Sequence, residues 1–202
     1  MPGGRPMLNI LRMNLASHTP QKADAKGRQA SVAAVVCGED GLDLLFIHRT
    51  AHEGDPWSGH LAFPGGRTEP GDAGLKMTAE RETREELGLD LTEARCLGQL
   101  DDLTGVTIPV CVSAFVYELD AKPLLDPNDE VDDAFWFPLE DLADSGRRVT
   151  GTFLVDGCER EYPGIDFRLE SKPILWGLTF RFCQQMVALA GISGDGEDRN
   201  SD

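Results

Sequence analysis

The residues best equipped for chemistry stand together in Arg81-Glu82-Thr83-Arg84-Glu85-Glu86-Leu87-Gly88. On a helix, positions three and four apart share a face. Glu82, Glu85 and Glu86 are spaced i, i+3 and i+4, so their carboxylates are expected to point the same way. Carboxylates that close repel one another unless a cation sits among them. A hard divalent ion that takes oxygen ligands, Mg2+ or Mn2+, suits such a set. Arg81 precedes Glu85 by four residues and can pair with it and orient it. The plainer reading is a solvated acidic helix face with i,i+4 pairs to Arg81 and Arg84.

Two flanking features would position these acids. Before the helix comes the loop Phe63-Pro64-Gly65-Gly66, then a turn at Glu69-Pro70-Gly71. Asp72 follows the turn and is expected to cap the helix N-terminus. Gly88 is the expected left-handed residue just past the helix end. The result is a loop-helix-loop unit closed at both ends, with the acids along one side.

These residues resemble the box of the Nudix hydrolases, G-x5-E-x7-R-E-U-x-E-E-x-G-U, with U a bulky apolar residue. Gly66 matches the first Gly, Arg81-Glu82 the RE pair, Glu85-Glu86 the EE pair, and Gly88-Leu89 the end. Asp72 stands where the first Glu belongs, the following gap is one residue longer, and Thr83 replaces the apolar U. The resemblance covers roughly residues 30–190. It implies an α+β fold, the Nudix-type α/β/α sandwich with a mixed β-sheet. It also implies hydrolysis of a pyrophosphate, with Glu82, Glu85, Glu86 and the Gly66 backbone at the Mg2+ or Mn2+ and Arg81 positioning carboxylates. Glu130-Val131 with Trp136 fits an E-V…W pattern of the family, which makes Glu130 a candidate extra ligand or base. The plainer reading of Glu130 is one more acid in the loop Pro127-Asn128-Asp129-Glu130.

A subgroup that cleaves coenzyme A carries LLTxR-S-A-x3-R-x3-G-x3-FPGG ahead of the box. Arg49, Ala51, Gly59 and Phe63-Pro64-Gly65-Gly66 fall at those spacings, Thr50 replaces the Ser and Asp55 the second Arg. Trp176-Gly177-Leu178-Thr179 also resembles the start of that subgroup's last helix, although its Trp and Phe residues read more simply as core. The subgroup implies coenzyme A or an acyl derivative as substrate, cut to 4′-phosphopantetheine and 3′,5′-ADP. Within the loop, Arg49 and His52 are candidates to meet phosphate and Trp57 to stack on a base; equally, Arg49 can pair with an acid and Trp57 can cover the core. Gly65 and Gly66 let the backbone approach a ligand that a side chain would block. The alternatives are another Nudix substrate (ADP-ribose, a dinucleotide or a nucleoside triphosphate), a non-catalytic Nudix-fold binding module, and an isomerase on the same fold.

Composition sets the frame. With 202 residues the chain can bury one sizeable core. A net charge of -16 argues against a nucleic-acid-binding surface and means that a phosphorylated substrate needs local positive charge. No apolar run of about 18 residues suggests a membrane span, and no signal peptide is legible. Five scattered cysteines, Cys37, Cys96, Cys111, Cys158 and Cys183, form no C-x-x-C pair and read as free thiols in a reducing cytoplasm. Family members are often dimers, so a homodimer is the assembly the resemblance allows.

In chain order, residues 1–29 read as an N-terminal helix over 8–16 and a connector. Strands are expected over 30–37 and 42–48 around the Asp40-Gly41 turn, then over 94–103, 108–119 and 134–137. A helical turn is expected over 139–144, a hairpin around Asp156-Gly157, a helix over 174–189, and a disordered acidic tail over 191–202. Asp101 and Asp102 either border the site or end a strand in solvent.

Overall fold

The structure is a computed structural model, described here for residues 6–23, 27–38, 41–52, 57–105, 109–155 and 157–193. Its spine is a parallel pair, β1 (Arg28–Cys37) and β7 (Val110–Leu119), in register from Arg28↔Val110 to Cys37↔Leu119. Parallel strands with both faces covered read as unbroken apolar runs, and Ala33 to Val36 are all fully buried. The other edge of β1 is divided. Its end pairs with the hairpin strand β2 (Asp43–Arg49), and its start pairs with β4 (Gly65–Arg67). Between them, Ala33 donates its N–H to the Pro64 carbonyl at 2.8 Å. The glycine loop is thereby stitched to the centre of the sheet. β3 (Leu61–Ala62) and β8 (Val131–Pro138) extend the sheet from β2, while β5 (Arg95–Gln99) and β6 (Leu103–Thr104) pair with β7.

Helices cover both faces, as the sandwich expectation requires. α2 (Leu75–Leu87) buries Ala79 and Leu87 in one core with Ala33, Val35 and Tyr117. α1 (Pro6–Ser17) and α3 (Gly177–Leu189) bury Leu8, Leu11, Leu15, Phe180, Phe182 and Met186 on the other face, against Ala34, Val36 and Val116. Neighbouring strand residues point to opposite faces, so the alternation within β1 builds both cores. Phe46, fully buried, touches Phe63, Phe135 and Phe167; its truncation to Ala would cost about 3–5 kcal/mol. Polar bonds seat the helices. Arg12 donates to the buried Glu118 at 2.8 Å, and Tyr117 on the sheet donates to Glu80 of α2 at 3.0 Å. A separate three-stranded sheet holds β9 (Arg148–Val155), β10 (Cys158–Ile165) and β11 (Leu175–Trp176).

The expected elements are present with three corrections. The run expected as a helix from 174 begins as strand β11, and the helix starts only at Gly177, whose φ of 70° sets the turn between them. The expected strand 94–103 breaks after Gln99, because Asp101 and Asp102 take bonds from the connector. Asp101 binds His18 at 2.9 Å and the Gln21 N–H at 2.8 Å, and the Asp102 N–H donates to the Gln21 carbonyl at 2.9 Å. These aspartates are therefore a latch for the N-terminal connector rather than a solvated strand end. The cap of α2 is Gly74, not Asp72. Asp40, Asp156 and the tail from 194 lie outside the described residues.

Candidate active site

α2 ends as the sequence indicates. Gly88 is left-handed, with φ 64°, and donates to the Arg84 carbonyl. The helix places Glu86 on its buried side, 2% exposed, facing β4. One Glu86 oxygen accepts the Gly65 N–H at 2.8 Å, and the other accepts Arg49 Nη1 at 3.2 Å. Burial pushes the Glu86 carboxyl up to about 8; the Gly65 N–H and the Arg49 charge oppose that shift, while Glu82 and Glu130 add to it. Arg49 thus pairs with an acid, the second of its two readings. It projects from a bulge in the β2–β8 pairing at His48/Arg49.

Glu82 faces Gly66. A Cβ on Gly66 would lie 2.4 Å from the Glu82 Cδ and 2.5–2.6 Å from both its oxygens. Burial raises the Glu82 carboxyl, against the pull of Arg81. Gly65, at φ 148°, is pressed against β1; there a Cβ would meet the Ser31 carbonyl oxygen at 2.3 Å and the Val32 Cα at 2.5 Å. Both glycines are thus required by close approach, one to backbone and one to a carboxylate.

Arg81 organises the outer half. Its Nε and Nη2 grip Asp72 at 3.0 and 3.1 Å. Its Nη1 reaches Glu85 at 2.9 Å, and its Nη2 also reaches the Arg67 carbonyl and Glu82, each at 3.0 Å. Asp72 further accepts the Glu69 N–H and the Thr78 hydroxyl, and with Arg81 these bonds hold its carboxyl well below the usual range. Only 2% of the Asp72 side chain is exposed. Its work is to anchor Arg81, a link between residues nine apart that no helical periodicity reveals. Thr83, fully buried, donates its hydroxyl to the Ala79 carbonyl at 2.7 Å, which satisfies the one polar group its substitution adds.

The three box acids therefore fan out instead of pointing one way. Glu85 is 53% exposed and turned to Arg81, Glu82 lies at Gly66, and Glu86 is inside. Among the described residues no three Asp, Glu, His or Cys side chains form a ready cation cage. The arginines explain this, since Arg81 and Arg49 occupy the acids as counter-ions. The donor set still fits a hard divalent ion. It is all oxygen, it adjoins bare glycine backbone, and the charge of Glu130 raises the carboxyls of both Glu82 and Glu86, a repulsion that a cation would relieve.

Glu130 is exposed, and its backbone carbonyl accepts the Thr50 N–H at 2.9 Å, which ties the acidic loop to the end of β2. The same loop is held to the end of α2 by Asn128 N–H to the Glu86 carbonyl at 2.9 Å. Trp57 packs against the core, with the Arg67 guanidinium 5.8 Å over its ring, which is the core-covering alternative rather than a base platform. His52 is exposed, with its backbone N–H on the Ser58 hydroxyl at 2.7 Å. Asp55 lies outside the described residues. Cys96, Cys111, Cys158 and Cys183 are free thiols.

Known proteins share this domain and its fold. The NUDIX domain model matches residues 27–154. The human mitochondrial coenzyme A diphosphatase NUDT8 is 32% identical over 87% of this chain and 80% of its own. An uncharacterized protein of Schizosaccharomyces pombe is 34% identical over 59% of this chain, which spans 44% of that protein's length. In fold, a MutT/nudix family protein from Enterococcus faecalis superposes with a TM-score of 0.52 at 19% identity, covering 91% of this chain and 66% of its own. Divalent metals are general to Nudix hydrolases, and the domain match together with these relatives supports a pyrophosphohydrolase. The chain belongs to the NUDIX domain family.

Proposed function

We propose that the protein hydrolyses the pyrophosphate of coenzyme A or an acyl derivative, with Mg2+ or Mn2+, to 4′-phosphopantetheine and 3′,5′-ADP. The observation that carries the chemistry is the pair of carboxylates against bare glycine backbone, Glu86 bonded to Gly65 N–H and Glu82 on Gly66. The substrate is supported by the name of the human relative and by Arg49, Ala51, Gly59 and the FPGG loop at the subgroup spacings.

Glu82, Glu85 and Glu86, with the Gly66 backbone, would hold the ion. When bound, it neutralises the pyrophosphate charge and lowers the pKa of an attacking water. Arg81 fixes Glu82 and Glu85 through its anchor on Asp72. Arg49, beside Glu86 at the end of β2, and His52 would meet the phosphate. Glu130, exposed at the rim and within the field of Glu82 and Glu86, takes the proton from the attacking water. Water adds to one phosphorus, the bridging P–O bond breaks, and the second monophosphate leaves.

The proposed catalytic unit spans 30–190, with α1 docked on it. No helix among the described residues is long and apolar enough to cross a membrane. The reducing cytoplasm stays the proposed compartment, although the human relative is mitochondrial by name. A homodimer is kept as a proposal, and a charge of -16 leaves nucleic acid out of this reading.

Product analysis with coenzyme A, ADP-ribose, NADH and a dinucleoside polyphosphate in parallel tests the proposal. Release of 3′,5′-ADP from coenzyme A is expected. Turnover of another substrate in place of coenzyme A would contradict it.

A further inference from the structure

The second sheet carries a group of rings that the chemistry above leaves unused. Phe153 stacks on Trp176 at 4.0 Å and 17°, Tyr162 lies 5.3 Å from Trp176, and His60 meets the same indole edge-on at 5.0 Å. Register places them on one face. Phe153 pairs with Arg160, Tyr162 with Gly151 and Trp176 with Gly164, and side chains alternate between faces along a strand. The two glycines make room. A Cβ on Gly151 would touch the Phe153 ring at 2.7 Å, and one on Gly164 would touch Ile174 at 2.5 Å.

These rings are not core, which corrects the sequence reading of Trp176. Among the described residues, the two hydrophobic clusters take in Trp57, Phe135 and Trp136 but not Phe153, Tyr162 or Trp176. Each of the three, and His60, keeps part of its surface in solvent.

Their position ties them to the acids. β11 packs on β3, and His60 directly precedes β3. The His60 carbonyl accepts the Arg49 N–H at 3.0 Å, and the Arg49 side chain reaches Glu86. From His60 to Gly65 is five residues, at most about 18 Å of extended chain. A group resting on the rings and a pyrophosphate at Gly65 and Glu86 can therefore belong to one molecule.

We propose that Phe153, Tyr162, Trp176 and His60 form the seat of the substrate's purine base. The inference rests on the pyrophosphatase reading. Flat π-faces select a flat π-ligand, since aromatic stacking is open to any base but not to a saturated pantetheine arm. Arg160, exposed on the same face beside Phe153, supplies a cation for a phosphate on the ribose. In a protein of net charge -16 such a cation beside an aromatic surface suits an anionic nucleotide.

The test measures dissociation constants for AMP and for ribose 5-phosphate, its base-free counterpart, by calorimetry on the full chain. Wild type is expected to prefer AMP. Tyr162→Leu and Phe153→Leu are expected to weaken AMP about tenfold, the size of one base–aromatic stack, and to leave ribose 5-phosphate unchanged. Tyr162→Phe keeps a ring and is expected to keep AMP binding, which separates stacking from a loss of fold. Equal wild-type affinity for the two ligands would overturn the proposal. So would an AMP preference that survives both leucine variants, or a loss of 4′-phosphopantetheine binding in place of AMP. The readout needs no hydrolysis, so failure to cleave coenzyme A with the AMP result intact removes the coenzyme A reading alone.

Discussion

Replacing Gly66 with Ala should separate catalysis from folding. The new Cβ would sit 2.4 Å from the Glu82 Cδ, whereas carbons rest at about 3.5 Å or more. The Glu82 carboxylate must therefore retreat by about 1 Å, away from the glycine backbone and out of its 3.0 Å contact with Arg81. Glu82 is the far end of a flexible chain with 18% of its side chain exposed, so the move costs the fold only about 1 kcal/mol. A misplacement of that size costs turnover on the order of a hundredfold. Gly65→Ala differs in kind. Its Cβ would strike the Ser31 carbonyl and the Val32 Cα, backbone that cannot give way, at a φ of 148°. There the β1–β4 pairing must open, at about 3 kcal/mol or more. The assay is the initial rate of pyrophosphate cleavage beside a calorimetric Tm for both variants. A Gly66→Ala protein with kcat within about threefold of wild type, or one that unfolds as readily as Gly65→Ala, would refute the reasoning.

Three other outcomes follow from the same geometry. Arg81→Lys keeps the charge but cannot span Asp72, Glu85 and the Arg67 carbonyl together, so denaturant titration should show a loss of about 2–3 kcal/mol. The Asp72 carboxyl is held low, so its contribution is present above the ordinary carboxylate pKa of about 3.9 and is lost as pH falls below it; Asp72→Asn should flatten the acid limb of a Tm-versus-pH curve. Thr83→Val removes a hydroxyl bonded only within the helix, and Tm and kcat should both stay near wild type, within about 0.5–1 kcal/mol in stability.

Glu86 titrates in the opposite sense. Its folded carboxyl lies near 8 because it is buried, above the unfolded value of about 4.3. The folded state binds more protons between those values, so the metal-free protein should lose stability as pH rises from about 4.3 towards 8. Glu86→Gln should abolish that slope in thermal melts, and an unchanged slope would move the perturbed group elsewhere.

How far the chain could be read depended on the range of the interactions. The box helix, its left-handed end at Gly88 and the Arg81–Glu85 pair follow from spacing along one element, and all three are present. The apolar run over 30–37 announced strand β1 for the same reason. Asp72 was misread because a cap is a local inference, whereas its partner Arg81 lies nine residues on and is set by how the turn folds back on the helix. The fanning of the acids was also hidden. Equal spacing treats Glu82, Glu85 and Glu86 alike, but one meets a glycine loop, one solvent and one the sheet. Arg49 and Trp57 each have two readings along the sequence, and only tertiary contacts show Arg49 on Glu86 and Trp57 against the core. The ring group on the second sheet assembles from His60, Phe153, Tyr162 and Trp176, too far apart in sequence for any motif.

The measurement that bears most directly on the proposed site is metal-dependent release of 3′,5′-ADP from coenzyme A by purified wild type and Glu86→Gln, with Mg2+ or Mn2+ and with chelator. Wild type should release it only with the metal present. Glu86→Gln should be folded, with its CD spectrum retained, and slower by about three orders of magnitude. Near-normal, metal-dependent turnover by Glu86→Gln would contradict the assignment of the buried carboxylate at Gly65 as the heart of the site.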